Sequence, residues 1–204
     1  MIPIEIELKW RLDADGHAEL ERRITALLGA PHVLEQTNRF FDSSDGRLRA
    51  ARRSVRLRRE NERVILTCKA RGSVDSLGTH RHDEWERELP AAAWDTVPVD
   101  LPQDWAAALA GAPLQGFAGF TNRRLEWHDG QHLLCLDRSD FGVRFDHELE
   151  IETPQPQAAH ERWSALLAGW GIAWAPQPAT KLQRCIESLP MQAEACAPRV
   201  RSRP

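Results

Sequence analysis

Polar and apolar residues alternate strictly at the start of the chain. Ile4, Ile6, Leu8 and Trp10 fall on one parity, and Glu5, Glu7, Lys9 and Arg11 on the other. A period of two predicts a β-strand with one apolar and one charged face. Same-face neighbours on a strand lie about 6–7 Å apart, so Glu5 and Glu7 repel unless something positive sits between them. A divalent metal would serve, and so would the ammonium of Lys9. The pattern returns cleanly from Phe141 to Glu152. There Val143, Phe145, Leu149 and Ile151 oppose Arg144, Asp146, Glu148, Glu150 and Glu152. Like charges on one strand face are destabilising, so three glutamates in succession call for a compensating partner.

Further strands are predicted between these two. Leu34 to Asp42 reads as a strand that ends in the turn Ser43-Ser44-Asp45-Gly46. A basic run from Arg47 to Arg59 follows, and its end alternates. After a turn at Asn61-Glu62, Arg63 to Ala70 returns as a strand with Thr67 and Lys69 on one face. The hairpin thus presents Arg56, Arg58 and Lys69 together, a surface that suits a polyanion or plain solvent. Residues 71–77 read as a loop. Thr79 to Leu89 alternates as well, with His80, His82, Glu84, Glu86 and Glu88 on one face. Its other face is also polar, so parity assigns it no inner side. Residues 90–113, rich in Ala and Pro, break the pattern and read as an insertion of short helices packed outside. Leu114 to Trp127 is a strand carrying Asn122, Arg124 and Glu126 on one parity. The turn Asp129-Gly130 then sends the chain back through Asp137.

Helical spacing appears in two places, Asp13–Gly29 and Gln155–Gly171. A shorter helical turn after Thr180 sets Lys181 and Arg184 three apart, on one side. Residues 190–204 read as a disordered tail.

The chain's 204 residues suffice for one domain with a sizeable core, over residues 1–189. A formal net charge of −3 argues against bulk nucleic-acid binding. No apolar run reaches the roughly 18 residues of a membrane span, and the first residues do not resemble a secretion signal. The four cysteines lack metal-type spacing, which fits reduced thiols and a cytoplasmic location. Apolar residues on outer strand faces could support a homodimer.

The count of about eight antiparallel strands with interspersed helices predicts an α+β fold. In a sandwich the charged faces would meet water. In a closed barrel the apolar faces could point outward under the helices, and the charges could line the lumen. Burying so much charge is tolerable only when opposite signs and bound ions compensate. Such a lumen would have a carboxylate side for a divalent metal and a basic side for phosphates.

Glu5-x-Glu7-x-Lys9 resembles the ExExK signature of the CYTH superfamily, also called triphosphate tunnel metalloenzymes. The order of later elements extends the resemblance over roughly residues 1–187. Phe40-Phe41-Asp42 is similar to the family's aromatic-Asp turn, Val55-Arg56-Leu57-Arg58 to its LRxR, and Thr67-Cys68-Lys69 to its TxK. Glu84-Trp85, Arg124-Leu125-Glu126-Trp127, Asp137, Glu148-Leu149-Glu150-Ile151-Glu152, and Lys181 with Arg184 follow in the family's order. One departure stands out: His82 occupies the place where an Arg often precedes the acidic residue of the fifth strand.

The resemblance implies an eight-stranded antiparallel tunnel that holds a triphosphate. Arg56, Arg58, Lys69, Arg124, Lys181 and Arg184 would bind phosphate oxygens. Glu150 and Glu152, or Glu148, with Asp137 would hold Mg²⁺ or Mn²⁺. Glu5 and Glu7 would hold a second metal or orient the attacking water, and Lys9 would pair with carboxylate or phosphate. The expected activity is hydrolysis of inorganic triphosphate, because no pocket for an organic group is evident. Thiamine triphosphatase, class IV adenylyl cyclase and a non-catalytic polyphosphate- or nucleotide-binding module are the alternatives.

Overall fold

The period-two segments pair into one sheet that closes on itself. The computed structural model describes residues 4–189, all but the side chain of Arg71. The expected tail, 190–204, lies outside the described residues. In chain order the elements are β1 (Ile4–Leu12), α1 (Ala14–Leu28), β2 (His32–Asp42), α2 (Arg47–Ala50), β3 (Arg53–Glu60), β4 (Arg63–Val74) and β5 (Thr79–Leu89). A 3-10 turn (Ala91–Asp95) and α3 (Gln103–Leu109) precede β6 (Gln115–His128), β7 (Leu133–Asp140) and β8 (Phe145–Glu152). The chain ends with α4 (Pro156–Gly169), the two-residue β9 (Ala175–Pro176) and α5 (Lys181–Ser188).

The strand order is β5-β4-β3-β2-β6-β7-β8-β1, and β1 pairs back onto β5, so eight antiparallel strands form a closed barrel. Closure leaves no long free edge. Past Leu8, which pairs with Thr79, the first residue of β5, Gly78 and β9 take over the pairing with β1. Gly78 has φ +79°, and its carbonyl accepts from Lys9 N at 2.9 Å.

The apolar faces point outward, as a charged lumen requires. Leu8 and Trp10 of β1, Leu125 and Trp127 of β6, Leu134 and Leu136 of β7, and Leu149 and Ile151 of β8 pack under Leu20 and Ile24 of α1. Trp163 and Leu167 of α4 close the same cluster. A second cluster joins Val55, Leu57, Val64, Leu66 and Cys68 to Leu48, Trp105 and Leu109, so the insertion does pack outside. Each fully buried aliphatic side chain contributes about 1.5–3 kcal/mol. Helix caps are set locally: Asp13 accepts from Gly16 N at 2.7 Å, and Thr180 with Gln183 forms a capping box at the start of α5.

Two expectations are corrected. Residues 71–77 are not all loop, because β4 runs on to Val74 through an irregularity between Arg71 and Ser73. There Gly72 lies against β5 so closely that a Cβ would stand 1.9 Å from the carbonyl oxygen of Arg81. The last long strand starts at Phe145, not Phe141, and Val143 is 74% exposed at a bend. The basic run opens with a helical turn, α2. Among the described residues, no helix is long and apolar enough to cross a membrane.

Candidate functional site

Every second residue of the barrel strands points inward, and most of these are charged. They line a cavity of about 590 Å³, within the range of small-molecule sites. Glu5, Glu7 and Lys9 of β1 line it, with Glu150 and Glu152 of β8 and Arg124 of β6. Arg56 and Arg58 of β3, Lys69 of β4 and Lys181 of α5 complete the expected set. Asp137, Glu148 and Arg184 lie behind that lining, fully or almost fully buried.

Register explains the pairings. Glu7 stands opposite Glu152, and Lys9 opposite Glu150. Lys9 bridges Glu150 and Glu7, the latter at 2.8 Å. Arg124 pairs with Asp137 at 2.8 Å and Glu150 at 2.5 Å. Lys181 enters from α5 to meet Asp137 and Glu150, each at 2.8 Å, and Glu148. Arg184 reaches Glu148 at 2.5 Å and Asp146 at 2.8 Å, so it fastens α5 to β8. The cations are therefore interleaved with the carboxylates on this wall. Burial opposes the charge of Glu150, but Lys181, Lys9 and Arg124 outweigh it and hold its carboxyl well below the usual range.

Glu5, Glu7 and Glu152 differ from that saturated cluster. Each offers an oxygen within 4.8 Å of the others. Glu152 makes no ion pair among the described residues. Burial, and then the Glu5 charge, push its carboxyl up to about 7. Glu7 is buried, and its Oε1 accepts no hydrogen bond although the Lys9 ammonium lies 2.8 Å away. Glu5 pairs with Lys69 and Glu7 with Lys9, so Glu152 is the carboxylate of the trio left without a cation, and an all-oxygen set of this kind suits a hard divalent cation. Asp137, Glu148 and Glu150 also lie within 4.8 Å of one another, but Arg124, Lys181 and Lys9 already fill the space a cation would take.

The opposite imbalance appears on β3. Arg56 meets Glu86 only at 3.7 Å, and Arg58 meets it at 3.3 Å and Glu60 at 3.5 Å. The Nε atoms of both arginines are buried without a hydrogen-bond partner. Burial, and then the neighbouring Arg58, lower the pKa of Arg56. A guanidinium does not deprotonate in a protein, so this marks crowded positive charge that an anion would relieve.

Between the two regions stand residues that parity alone left unassigned. His80, His82, Glu84 and Glu86 of β5 all face the cavity. Lys69 bridges Glu5 and Glu84, each at 2.7 Å. Burial raises the Glu84 carboxyl to about 8 despite Lys69. Thr67 donates to Glu86 at 2.7 Å and receives Arg56 at 3.1 Å. Their shared parity at 80, 82, 84 and 86 was the available signal, but the polar opposite face masked it. Arg123, adjacent to Arg124, faces outward towards Glu21 and Glu35.

The chain is 28% identical over 181 residues to the Bacillus subtilis protein named "Putative triphosphatase YjbK", covering 87% of this chain and 90% of that one. Among solved structures, it is similar to one titled "Putative adenylyl cyclase HpAC1 from Hippeastrum reveals a dominant triphophatase activity", with a TM-score of 0.77 and 20% identity over 92% of this chain and 98% of the other. A structure titled as a putative adenylate cyclase from Bacillus halodurans matches with a TM-score of 0.68 and 21% identity over 88% and 96%. At these identities the two structures speak for the fold alone. The sequence profile of the CYTH domain matches residues 3–167. The chain belongs to the CYTH domain family.

Proposed function

We propose that this protein is a divalent-metal-dependent triphosphatase that converts inorganic triphosphate to pyrophosphate and phosphate. One observation carries the reading. One cavity inside the barrel holds a carboxylate trio, Glu5, Glu7 and Glu152, of which Glu152 has no ion pair among the described residues, and an arginine pair, Arg56 and Arg58, held only by long ion pairs. A linear polyanion that arrives with a divalent cation satisfies both at once.

Glu5, Glu7 and Glu152 would hold the cation, Mg²⁺ or Mn²⁺. When bound, it neutralises phosphate oxygens and lowers the charge barrier to attack at phosphorus. Arg56 and Arg58 offer forked donors to phosphate oxygens, and Lys69, Arg124 and Lys181 offer point charges or shared forks. Glu5 and Glu7, at the carboxylate end, orient the attacking water towards the terminal phosphorus. The bond broken is the one to the bridging oxygen, which leaves with pyrophosphate. Lys9 keeps Glu7 and Glu150 apart. Asp137, Glu148 and Arg184 act from behind, by holding Arg124 and Lys181 in place.

Inorganic triphosphate is favoured over thiamine triphosphate or ATP because the aromatic rings at the cavity are already engaged. Phe40 stacks on Phe120 at 5.9 Å, and Phe120 meets Phe141 edge-on at 5.2 Å. All three are buried. The test is phosphate release from inorganic triphosphate, thiamine triphosphate and ATP in parallel, with Mg²⁺ or Mn²⁺, and with cyclic AMP assayed in the ATP reaction. Fast release from inorganic triphosphate is expected, reduced by at least about 100-fold in Glu7→Gln. Cyclic AMP with pyrophosphate would make the protein a cyclase. Binding of triphosphate without turnover would make it a binding module.

A further inference from the structure

A histidine nitrogen stands among the tunnel's carboxylates at the β1–β5 seam. His82 stands directly opposite Glu5 in the β1–β5 register, at the seam that closes the barrel. Its Nε2 lies 2.5 Å from Glu5 Oε2 and 3.3 Å from Glu7 Oε1. Glu5, His82 and Glu84 each offer a ligand atom within 4.8 Å of the others, and Glu5 also belongs to the trio with Glu7 and Glu152. The second, independent observation is Glu7 itself. It is 1% exposed, and its Oε1, the atom nearest His82, accepts no hydrogen bond of good geometry, its one close cation being the Lys9 ammonium at 2.8 Å.

We propose that His82 Nε2 is a ligand of the cation held by Glu5 and Glu7, so that this site selects Mn²⁺ and later transition metals over Mg²⁺. The inference rests on the metal-dependent reading above and adds the ion's identity to it. Imidazole nitrogen is a poor ligand for Mg²⁺, which keeps oxygen ligands and sheds water reluctantly. It binds Mn²⁺, and binds Co²⁺, Ni²⁺ and Zn²⁺ better still. Lys69 is no obstacle. Its ammonium touches Glu5 at 2.7 Å and His82 Nε2 at 3.1 Å, but it has an equal partner in Glu84 at 2.7 Å. With a cation on Glu5 it keeps that partner. The other histidines lining the cavity, His80 and His32, are turned elsewhere: His80 Nε2 contacts the carbonyl of Gln177 at 2.8 Å, and His32 Nδ1 lies 3.6 Å from Glu126.

The test uses the full chain stripped with EDTA and loaded with one equivalent of Mn²⁺. Electron spin-echo spectroscopy reads whether a nitrogen nucleus is coordinated. The wild-type protein is expected to show nitrogen modulation that changes on isotopic labelling of histidine nitrogen, a readout needing no variant. His82→Gln is expected to lose the modulation and His80→Gln to keep it. In His82→Gln the Mn²⁺ affinity should fall by about tenfold or more while Mg²⁺ affinity stays nearly constant. Bound Mn²⁺ without nitrogen modulation, or modulation that survives His82→Gln, would overturn the inference and leave the triphosphatase reading standing. No Mn²⁺ binding above background would overturn both.

Discussion

Arg124 and Asp137 stand opposite each other on β6 and β7 and meet in a two-point ion pair, Nε to Oδ1 at 2.9 Å and Nη2 to Oδ2 at 2.8 Å. Asp137 is wholly buried. Burial opposes its charge, but Arg124 and Lys181 outweigh that and hold its carboxyl at about 2. Asn122 adds a third partner, donating to Oδ1 at 2.8 Å. The pair is the base on which the cationic part of the wall is built, since Arg124 reaches on to Glu150.

Removing one partner of such a pair leaves an uncompensated buried charge. Arg124→Met is expected to cost about 3 kcal/mol of stability, the low end for a broken buried pair because Lys181 remains. Urea unfolding at neutral pH measures it. The double variant Arg124→Met/Asp137→Leu should recover much of the loss. A double variant no more stable than the single would show that the charge of Asp137 was not the cause.

Glu152 links stability to pH. Its carboxyl titrates at about 7 in the fold, against 4.5 without the fold. Between those values the folded chain holds a proton that the unfolded chain has lost. Stability is therefore fully present below 4.5 and falls as pH rises through 7, by up to about 3 kcal/mol. Glu84, raised to about 8 mainly by burial, acts in the same direction. In EDTA, Glu152→Gln should melt higher than wild type at pH 8 and equally at pH 4.5. Added Mn²⁺ should stabilise the wild type more than the variant. Parallel melting curves across that range would refute the linkage.

His17 works in the opposite sense. It is buried between α1 and the barrel, with the His147 ring 4.9 Å away and its own Nε2 unpartnered. Burial, then His147, lower it to about 4 from 6.5. Its contribution to stability is complete above 6.5 and is lost as pH falls towards 4, because only the unfolded chain binds the proton there. His17→Leu should flatten the acid side of the stability profile. Since the His17 and Glu152 slopes oppose each other, each is read as variant minus wild type.

Arg56 and Arg58 make only long ion pairs, so their loss should weaken ligand binding more than folding. Arg58→Ala is expected to reduce triphosphate affinity by about 10- to 100-fold, the worth of a charge-assisted hydrogen bond. Calorimetric titration in the presence of Mg²⁺ tests this beside a urea curve. A large loss of stability with unchanged affinity would assign Arg58 a structural role instead.

Strand alternation is local, and it was legible. Parity along β1 and β8 separates Leu8, Trp10, Leu149 and Ile151, which pack under helices, from Glu5, Glu7, Lys9, Glu150 and Glu152, which face the lumen, because successive side chains on a strand point to opposite sides. The order of short motifs around Glu5, Arg56, Lys69 and Arg124 carried the family resemblance. Register between distant strands is not local. Glu7 faces Glu152, and Glu5 faces His82, only because packing and closure fix how β1 sits between β8 and β5. A strand polar on both faces, such as β5, holds no inner side until that closure chooses one. The same pairing decided which charges are spent and which remain. Arg124, Lys181 and Lys9 saturate Asp137 and Glu150, while Glu152 and Arg56 are left under-compensated, because charges interact through space at a few ångströms and not along the chain.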